Sequence, residues 1–401
     1  MRIAIWHNLP SGGAKRALYD QVRRLTERGH VVICWRLDVV DDSYLPLSTL
    51  ATEHVVRQKE VGGHWTISYN EALHRMRAFD DACRECARQI DEGNFDVVFV
   101  NGAVDYGVPY VLRHLRTKKV LYLQEPCRFL YEARPELPWV SGAPLDLFSS
   151  LFEPSKLIAN YSNLETLRIR AKQEWLNVNA SDLLLVNSYF SRESVLRAYG
   201  TEAKVCYLGV DTRLFRDLRL ARQRFLVGLG SLEMTKGVAL AVEAVALLAE
   251  PRPPLIWIAN SRDKDYETVV RDLAQRHQID LRIQFRISDE ELVKTLNEAW
   301  LLIYTSRLEP FGLAPLEANA CGCPVVGIAE GGIRETVVDG VNGLLVEPDA
   351  QSVAIGIERL LNDPTLARKI GDDAVKHIHE RWRVEDSIER LESWLSKTVA
   401  S

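Results

Sequence analysis

One short run of the sequence places two carboxylates, a proline and a glycine between an apolar strand and an alanine-rich helix. Glu309 and Glu317 lie eight positions apart; Pro310 and Gly312 keep Glu309 in a loop, while a helix starting near Pro315 takes Glu317 into its first turn. Free N–H groups and the positive dipole end at a helix N-terminus favour an anion. We therefore expect a phosphate here, with both carboxylates accepting hydrogen bonds from hydroxyl groups of the same ligand.

Each carboxylate taken singly has a simpler interpretation, because Glu317 could match a helix dipole and Glu309 could be a solvated loop residue. A second run, from Gly228 to Gly237, also follows an apolar strand and opens a helix. It lacks both the third glycine of a dinucleotide fingerprint and the ending of a P-loop. It does carry Lys236, which suits neutralisation of a diphosphate as a point charge.

Two glycine pairs follow strands elsewhere in the chain. Gly331 and Gly332 come after the apolar run 324–328, and Gly12 and Gly13 come after the first strand. Paired glycines allow a backbone to approach a ligand closely. We expect the glycine-rich loops of the two halves to face each other across a crevice.

The elements that must position these loops are apolar strands alternating with amphipathic helices, a pattern typical of parallel sheets covered on both faces. The predicted strands are 2–8, 31–36, 96–100, 119–124, 182–187, 224–230, 255–259, 281–285, 300–305 and 324–328. A chain of 401 residues suits two domains. We predict an α/β protein of two doubly wound, Rossmann-like domains, residues 1–214 and 215–380, with residues 381–401 as a C-terminal helix that could pack back on the first domain.

Composition excludes several classes of protein. The net charge of −5 argues against a nucleic-acid partner, and no apolar run reaches the length of a membrane-spanning helix. With no secretory leader visible, we expect a cytoplasmic protein whose seven cysteines are reduced thiols, the pairs at 83/86 and 321/323 being buried side chains rather than zinc ligands. The aromatic-rich segment 127–175 leaves three alternatives: a cap on the acceptor side, contact with the inner face of a membrane, or cover for the domain's own core.

These runs together resemble those of glycosyltransferase family 4, a retaining family with the GT-B fold, most densely over residues 205–350. The features that carry the resemblance are Glu309 with Glu317 in an E-x7-E pattern, the run from Glu309 to Val326, Gly331 and Gly332 with Glu335, Lys236 with Gly237, the 208–211 link, and Gly12 with Gly13.

The resemblance implies a nucleoside-diphosphate sugar site in the second half of the chain. Glu317 would bind the ribose, Glu309 the donor sugar or its leaving phosphate, and Lys236 would offset the charge that develops on the departing nucleotide. The donor-binding residues it implies are Gly12, Gly13, Ser231, Lys236, Ile287, Glu309, Phe311, Gly312, Leu313 and Glu317. Asn101, Gln124 and Arg128 would contact the acceptor.

The sequence departs from the family pattern at two positions. Ser231 stands where many members carry an arginine, which leaves Lys236 with less help in neutralising the diphosphate. Gln124 stands where many members carry a histidine, and a neutral amide can orient a hydroxyl but cannot act as a general base. Glu125 is then the candidate for the acceptor proton, and His7, just after the first strand, is an alternative whose simpler interpretation is a histidine satisfied by nearby backbone.

We therefore expect a retaining hexosyltransferase that needs neither a cofactor nor a metal ion. The segment 124–131 resembles that of some mannosyltransferases, which favours GDP-mannose as donor and a glycan or lipid-linked acceptor. The alternatives are a non-catalytic sugar-nucleotide-binding protein and, against the glycine pattern, an NAD-dependent oxidoreductase. The sequence does not specify the oligomeric state.

Overall fold

The computed structural model describes residues 1–59, 69–104, 106–131 and 154–401. The first half of the chain contains strands β1 to β7, at Arg2–Asn8, Val31–Leu37, Thr52–Val56, Val97–Ala103, Lys119–Tyr122, Leu183–Val186 and Lys204–Val205. Its helices α1 to α6 are Gly13–Glu27, Tyr69–Glu92, Val111–His114, Arg128–Tyr131, Pro154–Val178 and Tyr189–Tyr199. The order of strand, helix and strand is the one that parallel sheets require.

The second half repeats this alternation. Strands β8 to β13 are Leu226–Leu229, Leu255–Ala259, Leu281–Phe285, Leu301–Tyr304, Val325–Ile328 and Gly343–Val346. Helices α7 to α14 are Val238–Ala246, Lys264–Arg276, Asp289–Glu298, Leu313–Ala320, Ile333–Thr336, Ala350–Asn362, Pro364–Arg381 and Val384–Ala400. The structure thus confirms the prediction of two doubly wound α/β domains.

Each half folds around its own parallel sheet. In the described part of the chain the strand orders are β3-β2-β1-β4-β5-β6-β7 and β10-β9-β8-β11-β12-β13. Strand order therefore reverses between β1 and β4 in the first sheet and between β8 and β11 in the second. In such sheets the crevice outside the carboxyl ends of the strands at this reversal is the place where ligands bind.

Alternating side chains of β1 show how the first sheet is buried on both faces. Ile3 and Ile5 pack toward α1, whereas Ala4 and Trp6 pack into a separate apolar cluster on the other face, and all four are fully buried. The strand runs parallel to β2 and to β4, with Ile5 opposite Cys34 and Phe99. Burial on both faces explains the near-continuous apolar sequence of this strand.

One sequence prediction about the Glu317 helix is wrong. The helix begins at Leu313, two residues before Pro315, because Gly312 caps it in the left-handed conformation with φ of 95°. Glu317 is therefore the fifth residue of the helix and lies beyond its first turn. This removes the simpler interpretation of Glu317 as a residue that matches the helix dipole.

The C-terminal helix, α14, contacts the first half of the chain. Glu385 lies 3.1 Å from the guanidinium of Arg24 on α1, and Glu392 lies 2.7 Å from both Arg28 and His30. Leu391 and Leu395 are buried in the same apolar cluster as α1. Among the described residues no helix is both long enough and apolar enough to span a membrane.

Candidate active site

The crevice lies where the loops after β1 and β11 approach each other. A Cβ atom placed on Gly13 would lie 3.8 Å from Cδ2 of Leu313, the first residue of α10. The N-termini of α1 and α10 therefore come from different halves of the chain and lie side by side. Their unpaired N–H groups and dipoles give one small region that favours an anion.

Lys236 and Glu309 form an ion pair in this crevice. The ammonium of Lys236 lies 2.7 Å from Oε2 of Glu309, and the hydroxyl of Ser306 donates to the same oxygen at 2.6 Å. Burial opposes ionisation of Glu309, but the charges of Lys236 and Arg128 outweigh it and hold the pKa of Glu309 at about 2. Glu309 is therefore a carboxylate throughout the physiological pH range.

Glycine is required behind the Glu309 loop. Leu308 has a φ of +48°, so the loop turns sharply before Glu309. A Cβ atom on Gly331, whose φ is +68°, would lie 2.4 Å from the carbonyl oxygen of Glu309, and the N–H of Gly332 donates to that oxygen at 2.7 Å. The glycine pair expected to approach a ligand instead packs against the loop that presents Glu309.

Arg128, from the first half of the chain, crosses to this loop. Its Nη1 donates to the carbonyl of Arg307 at 3.0 Å and its Nη2 to that of Leu308 at 2.7 Å, while its Nε donates to Glu125. Burial raises the pKa of Glu125, and Arg128 partly opposes the rise. Arg128, expected to contact the acceptor, makes its described contacts to the Glu309 loop and to Glu125.

Glu317 faces a different set of charges, deeper between the halves. Its side chain is buried, and Oε1 lies 3.4 Å from Nε of Arg16 on α1. Burial raises the pKa of Glu317 to about 7, Arg16 opposes the rise, and Asp289 and Asp20 add to it. The two carboxylates of the E-x7-E pattern thus differ by about five pKa units.

The remaining residues that the sequence led us to expect at a donor site lie near the same ends of the strands. Phe311 is buried against Tyr207 and Trp382, at centroid distances of 6.2 and 5.6 Å, which fixes the backbone that leads into α10. Ser231 lies in the loop after β8, where its carbonyl accepts from Glu233, and Ile287 lies just before α9. Both are partly exposed and available to a ligand.

The expected acceptor-side residues follow β4 and β5. Asn101 lies within β4, is 2% exposed, and its Nδ2 has no hydrogen-bond partner among the described residues. Gln124 is half-buried two residues past the end of β5. Of the segment 127–175, residues 132–153 lie outside the described residues.

His7 lies inside β1 rather than after it. It is fully buried, and its Nε2 is 3.4 Å from Oε1 of Glu53, a side-chain partner instead of the backbone partner expected from the sequence. Burial lowers the pKa of His7. In the described ranges, no group of three His, Cys, Asp or Glu side chains is placed to hold a metal ion.

Two contacts that fasten the halves together were missed by sequence reasoning. The hydroxyl of Ser188, the N-cap of α6, donates to the carbonyl of Pro310 at 2.5 Å. Glu335 accepts hydrogen bonds from the N–H groups of Tyr189 and Phe190 and from the hydroxyl of Tyr207. A Ser cap at 188 was predictable from the sequence, but its partner across the crevice was not.

Comparison with known families and curated proteins gives consistent matches. A family model described as Glycosyltransferase Family 4 matches residues 11–214, and one described as Glycosyl transferases group 1 matches residues 211–377. The D-inositol 3-phosphate glycosyltransferase of Acidothermus cellulolyticus is 33% identical over 225 residues, 50% of each chain. The Alpha-1,3/1,6-mannosyltransferase ALG2 of Dictyostelium discoideum is 25% identical over 215 residues, so the match spans 47% of this chain and 49% of that relative.

Solved structures resemble the whole chain. Sucrose-phosphate synthase from Thermosynechococcus elongatus aligns with a TM-score of 0.77 at 19% identity, covering 100% of this chain and 99% of its own. HepE from Anabaena, solved in complex with UDP and glucose, aligns with a TM-score of 0.74 at 20% identity, covering 99% and 100%. At this identity the likeness shows the fold, which is GT-B.

Proposed function

This chain belongs to the glycosyltransferases described by the Glycosyltransferase Family 4 and group 1 models, and we propose that it transfers a hexose from a nucleoside-diphosphate sugar to an acceptor hydroxyl with retention. The observation that carries the proposal is the Lys236–Glu309 ion pair beside the paired N-termini of α1 and α10. A cation and two helix dipoles converge there on a place for a diphosphate.

In the proposed reaction the bond between the anomeric carbon and the phosphate oxygen breaks, and a bond to the acceptor oxygen forms on the same face of the sugar. Negative charge grows on the leaving diphosphate as the first bond breaks. Lys236 and the N–H groups of Phe311, Gly312 and Leu313 stabilise that charge, so they lower the barrier more than they strengthen binding of the donor. Glu309 holds the ammonium in place and accepts from hydroxyl groups of the sugar.

The acceptor side of the crevice supplies orientation and a proton acceptor. Gln124, half-buried after β5, orients the attacking hydroxyl, and Asn101 offers its Nδ2, which has no hydrogen-bond partner among the described residues. Glu125 takes the acceptor proton, since its raised pKa makes it more basic than an ordinary carboxylate. No metal ion is part of the proposal because Lys236 takes the place of a cationic charge sink.

The relatives and the similar structures suggest two different donors. The relative from Dictyostelium is named a mannosyltransferase, which agrees with the GDP-mannose suggested by residues 124–131. HepE was solved with UDP and glucose, at an identity that carries only the fold. We propose GDP-mannose as the first donor to test and UDP-glucose as the second.

A donor panel tests the proposed function. Release of nucleoside diphosphate is measured with GDP-mannose, UDP-glucose and ADP-glucose, each in EDTA and each with added manganese, beside a thermal-shift measurement of binding. We expect one donor to raise the melting temperature and to be turned over at the same rate in EDTA as with added manganese. Turnover only with manganese contradicts metal independence.

A binding protein without catalysis is a second candidate, favoured by Gln124 in the place of a base. In that case a donor raises the melting temperature, but no nucleoside diphosphate is released over the same incubation. Stabilisation by none of the three donors contradicts both candidates.

The assignment of Glu317 to the ribose predicts a binding defect. Glu317→Ala removes an acceptor of hydrogen bonds that the ground state already makes, so donor KM rises by about 10- to 100-fold with kcat nearly unchanged. Steady-state rates measured over a range of donor concentrations up to saturation give kcat and donor KM separately. Glu290→Ala, an exposed carboxylate on α9, is the matched control. A large loss of kcat at unchanged KM contradicts the assignment.

A further inference from the structure

We propose that Arg16 is a positioning residue that reaches across the crevice, orients the side chain of Glu317 for the ribose and favours its ionised form. The proposal rests on the proposed function, since it concerns the same donor site. Arg16 belongs to the first half of the chain, and in this proposal it acts on the donor through Glu317 of the second half. It also makes donor affinity depend on the way the two halves meet.

The geometry around Arg16 fixes its guanidinium in three directions. Nη1 donates to Oδ2 of Asp289 at 3.0 Å, Nη2 donates to the other oxygen of that carboxylate, and Nε lies 3.4 Å from Oε1 of Glu317. The rings of Tyr44 and Phe215 lie 5.7 and 5.3 Å from the guanidinium carbon. With 8% of its surface exposed, Arg16 is held in one orientation.

The charges facing Glu317 are unbalanced without Arg16. Asp289 on α9 and Asp20 on α1 both raise the pKa of Glu317, and Arg16 is the cation that lowers it. Asp20 is itself mostly buried, and its pKa is raised to about 6. Tyr44, also beside Arg16, has its pKa raised to about 12 by burial and stays neutral. Asp20 has a second cation, since Arg23 lies 2.8 Å from its Oδ1, so removing Arg16 chiefly takes away the cation that Asp289 and Glu317 both contact.

This arrangement makes the contact of Glu317 with its cation depend on how the halves meet. Arg16 lies on α1 of the first half, whereas Asp289 and Glu317 lie on α9 and α10 of the second. Burial between the halves raises the pKa of Glu317, and Arg16 opposes that rise. Arg16 therefore limits the protonation that burial favours, and a protonated carboxyl is a poorer acceptor for ribose hydroxyls.

The first test measures binding of GDP and of UDP by calorimetry between pH 6 and pH 9. In the wild type we expect Kd to rise as pH falls through about 7, where Glu317 takes up a proton. In Arg16→Met the rise shifts to higher pH by about one unit, so Kd is about 3-fold higher than in the wild type near pH 7.5, about 10-fold higher at the acid end of the range, and nearly equal toward pH 9. Arg16→Lys restores part of the wild-type profile because it keeps the charge but not the fork.

Arg24→Met is the matched control. Arg24 is also a buried arginine on α1, and it pairs with Asp211 and Glu385 instead of the donor-site carboxylates. It should lower the melting temperature while keeping the wild-type dependence of Kd on pH. The same shift in Arg24→Met as in Arg16→Met assigns the effect to general loosening and overturns the proposal.

A second test needs no nucleotide, and it follows from the effect of Glu317 on stability. The pKa of Glu317 is about 7 in the folded chain against 4.5 normally. Its contribution to the free energy of unfolding therefore falls as pH rises from about 4.5 to 7, and it stays constant above pH 7. In Arg16→Met the loss continues above pH 7, and the melting temperature falls by about 1–2 °C for each unit by which the pKa of Glu317 rises further. The same comparison is repeated in a background that carries Glu317→Gln, which has no carboxyl to titrate. In that background the difference in melting temperature between the Arg16 protein and Arg16→Met should no longer grow above pH 7.

The two tests separate the proposal from the function on which it rests. If neither GDP nor UDP binds the wild type, the proposed donors GDP-mannose and UDP-glucose are excluded, and the melting profiles alone decide whether Arg16 controls the charge of Glu317. If Arg16→Met melts and binds with the wild-type dependence on pH, Arg16 does not act through Glu317 and the proposal is overturned.

Discussion

Lys236→Ala is expected to reduce kcat by about two orders of magnitude or more, while donor KM changes little. Lys236 contacts Glu309 at 2.7 Å. In the proposed reaction its attraction to the leaving diphosphate strengthens as negative charge grows there, so it stabilises the transition state more than the bound donor. Removal of one preorganised electrostatic donor typically costs this much. Ser231 supplies no second charge in the same loop, so little redundancy softens the loss. Turnover at saturating donor is the measurement.

Two further variants sharpen the Lys236 experiment. Lys236→Arg should recover only part of the rate, because a planar fork does not reproduce a compact ammonium between Glu309 and the leaving phosphate. Lys294→Ala removes an exposed lysine of α9 in the same half of the chain and should leave kcat unchanged. A Lys236→Ala enzyme that turns over at nearly the wild-type rate means that the phosphate lies elsewhere.

The Glu309 loop and the Lys236 loop were predictable because both obey a local rule. Each follows an apolar strand and leads into a helix, and the carboxyl ends of parallel strands meet at one edge of their sheet. β8 and β11 are neighbours in that sheet, which brings Lys236 and Glu309 together. Proline and glycine placed Glu309 outside the helix correctly. The start of the helix was misplaced because the left-handed cap at Gly312 is decided by packing.

Contacts between the halves could not be predicted in the same way. Arg16 meets Asp289 and Arg128 meets Leu308 across 273 and 180 residues of sequence. No periodicity or turn signal within either half specifies such a pair, because it depends on how two separately folded sheets are oriented. A related case is the glycine pair Gly331 and Gly332, since their close packing against the Glu309 loop could not be foreseen from the sequence around them.

Glu309→Gln is the second substitution expected to have a large effect, about 100-fold on kcat. Glutamine keeps the size of the side chain and one acceptor oxygen, but it removes the negative charge that opposes Lys236. Lys236 then loses the partner that holds its ammonium near the leaving phosphate, and misplacement of a catalytic group by about 1 Å can cost this much. Donor KM should rise less than 10-fold, because the nucleotide contacts of Glu317 remain.

The dependence on pH gives the Glu309 experiment a second readout. The pKa of Glu309 is about 2 in the folded chain, below its ordinary 4.5, so its ionisation stabilises the fold above about pH 4.5 and that contribution is lost as pH falls toward 2. Wild-type stability should therefore fall more steeply than that of Glu309→Gln between pH 4.5 and 3, measured by chemical denaturation. The double variant Lys236→Met with Glu309→Gln should lose much less kcat than the product of the two single losses, because part of the effect of Glu309 passes through Lys236. Strictly additive losses in kcat would show that Glu309 acts on the sugar independently of Lys236.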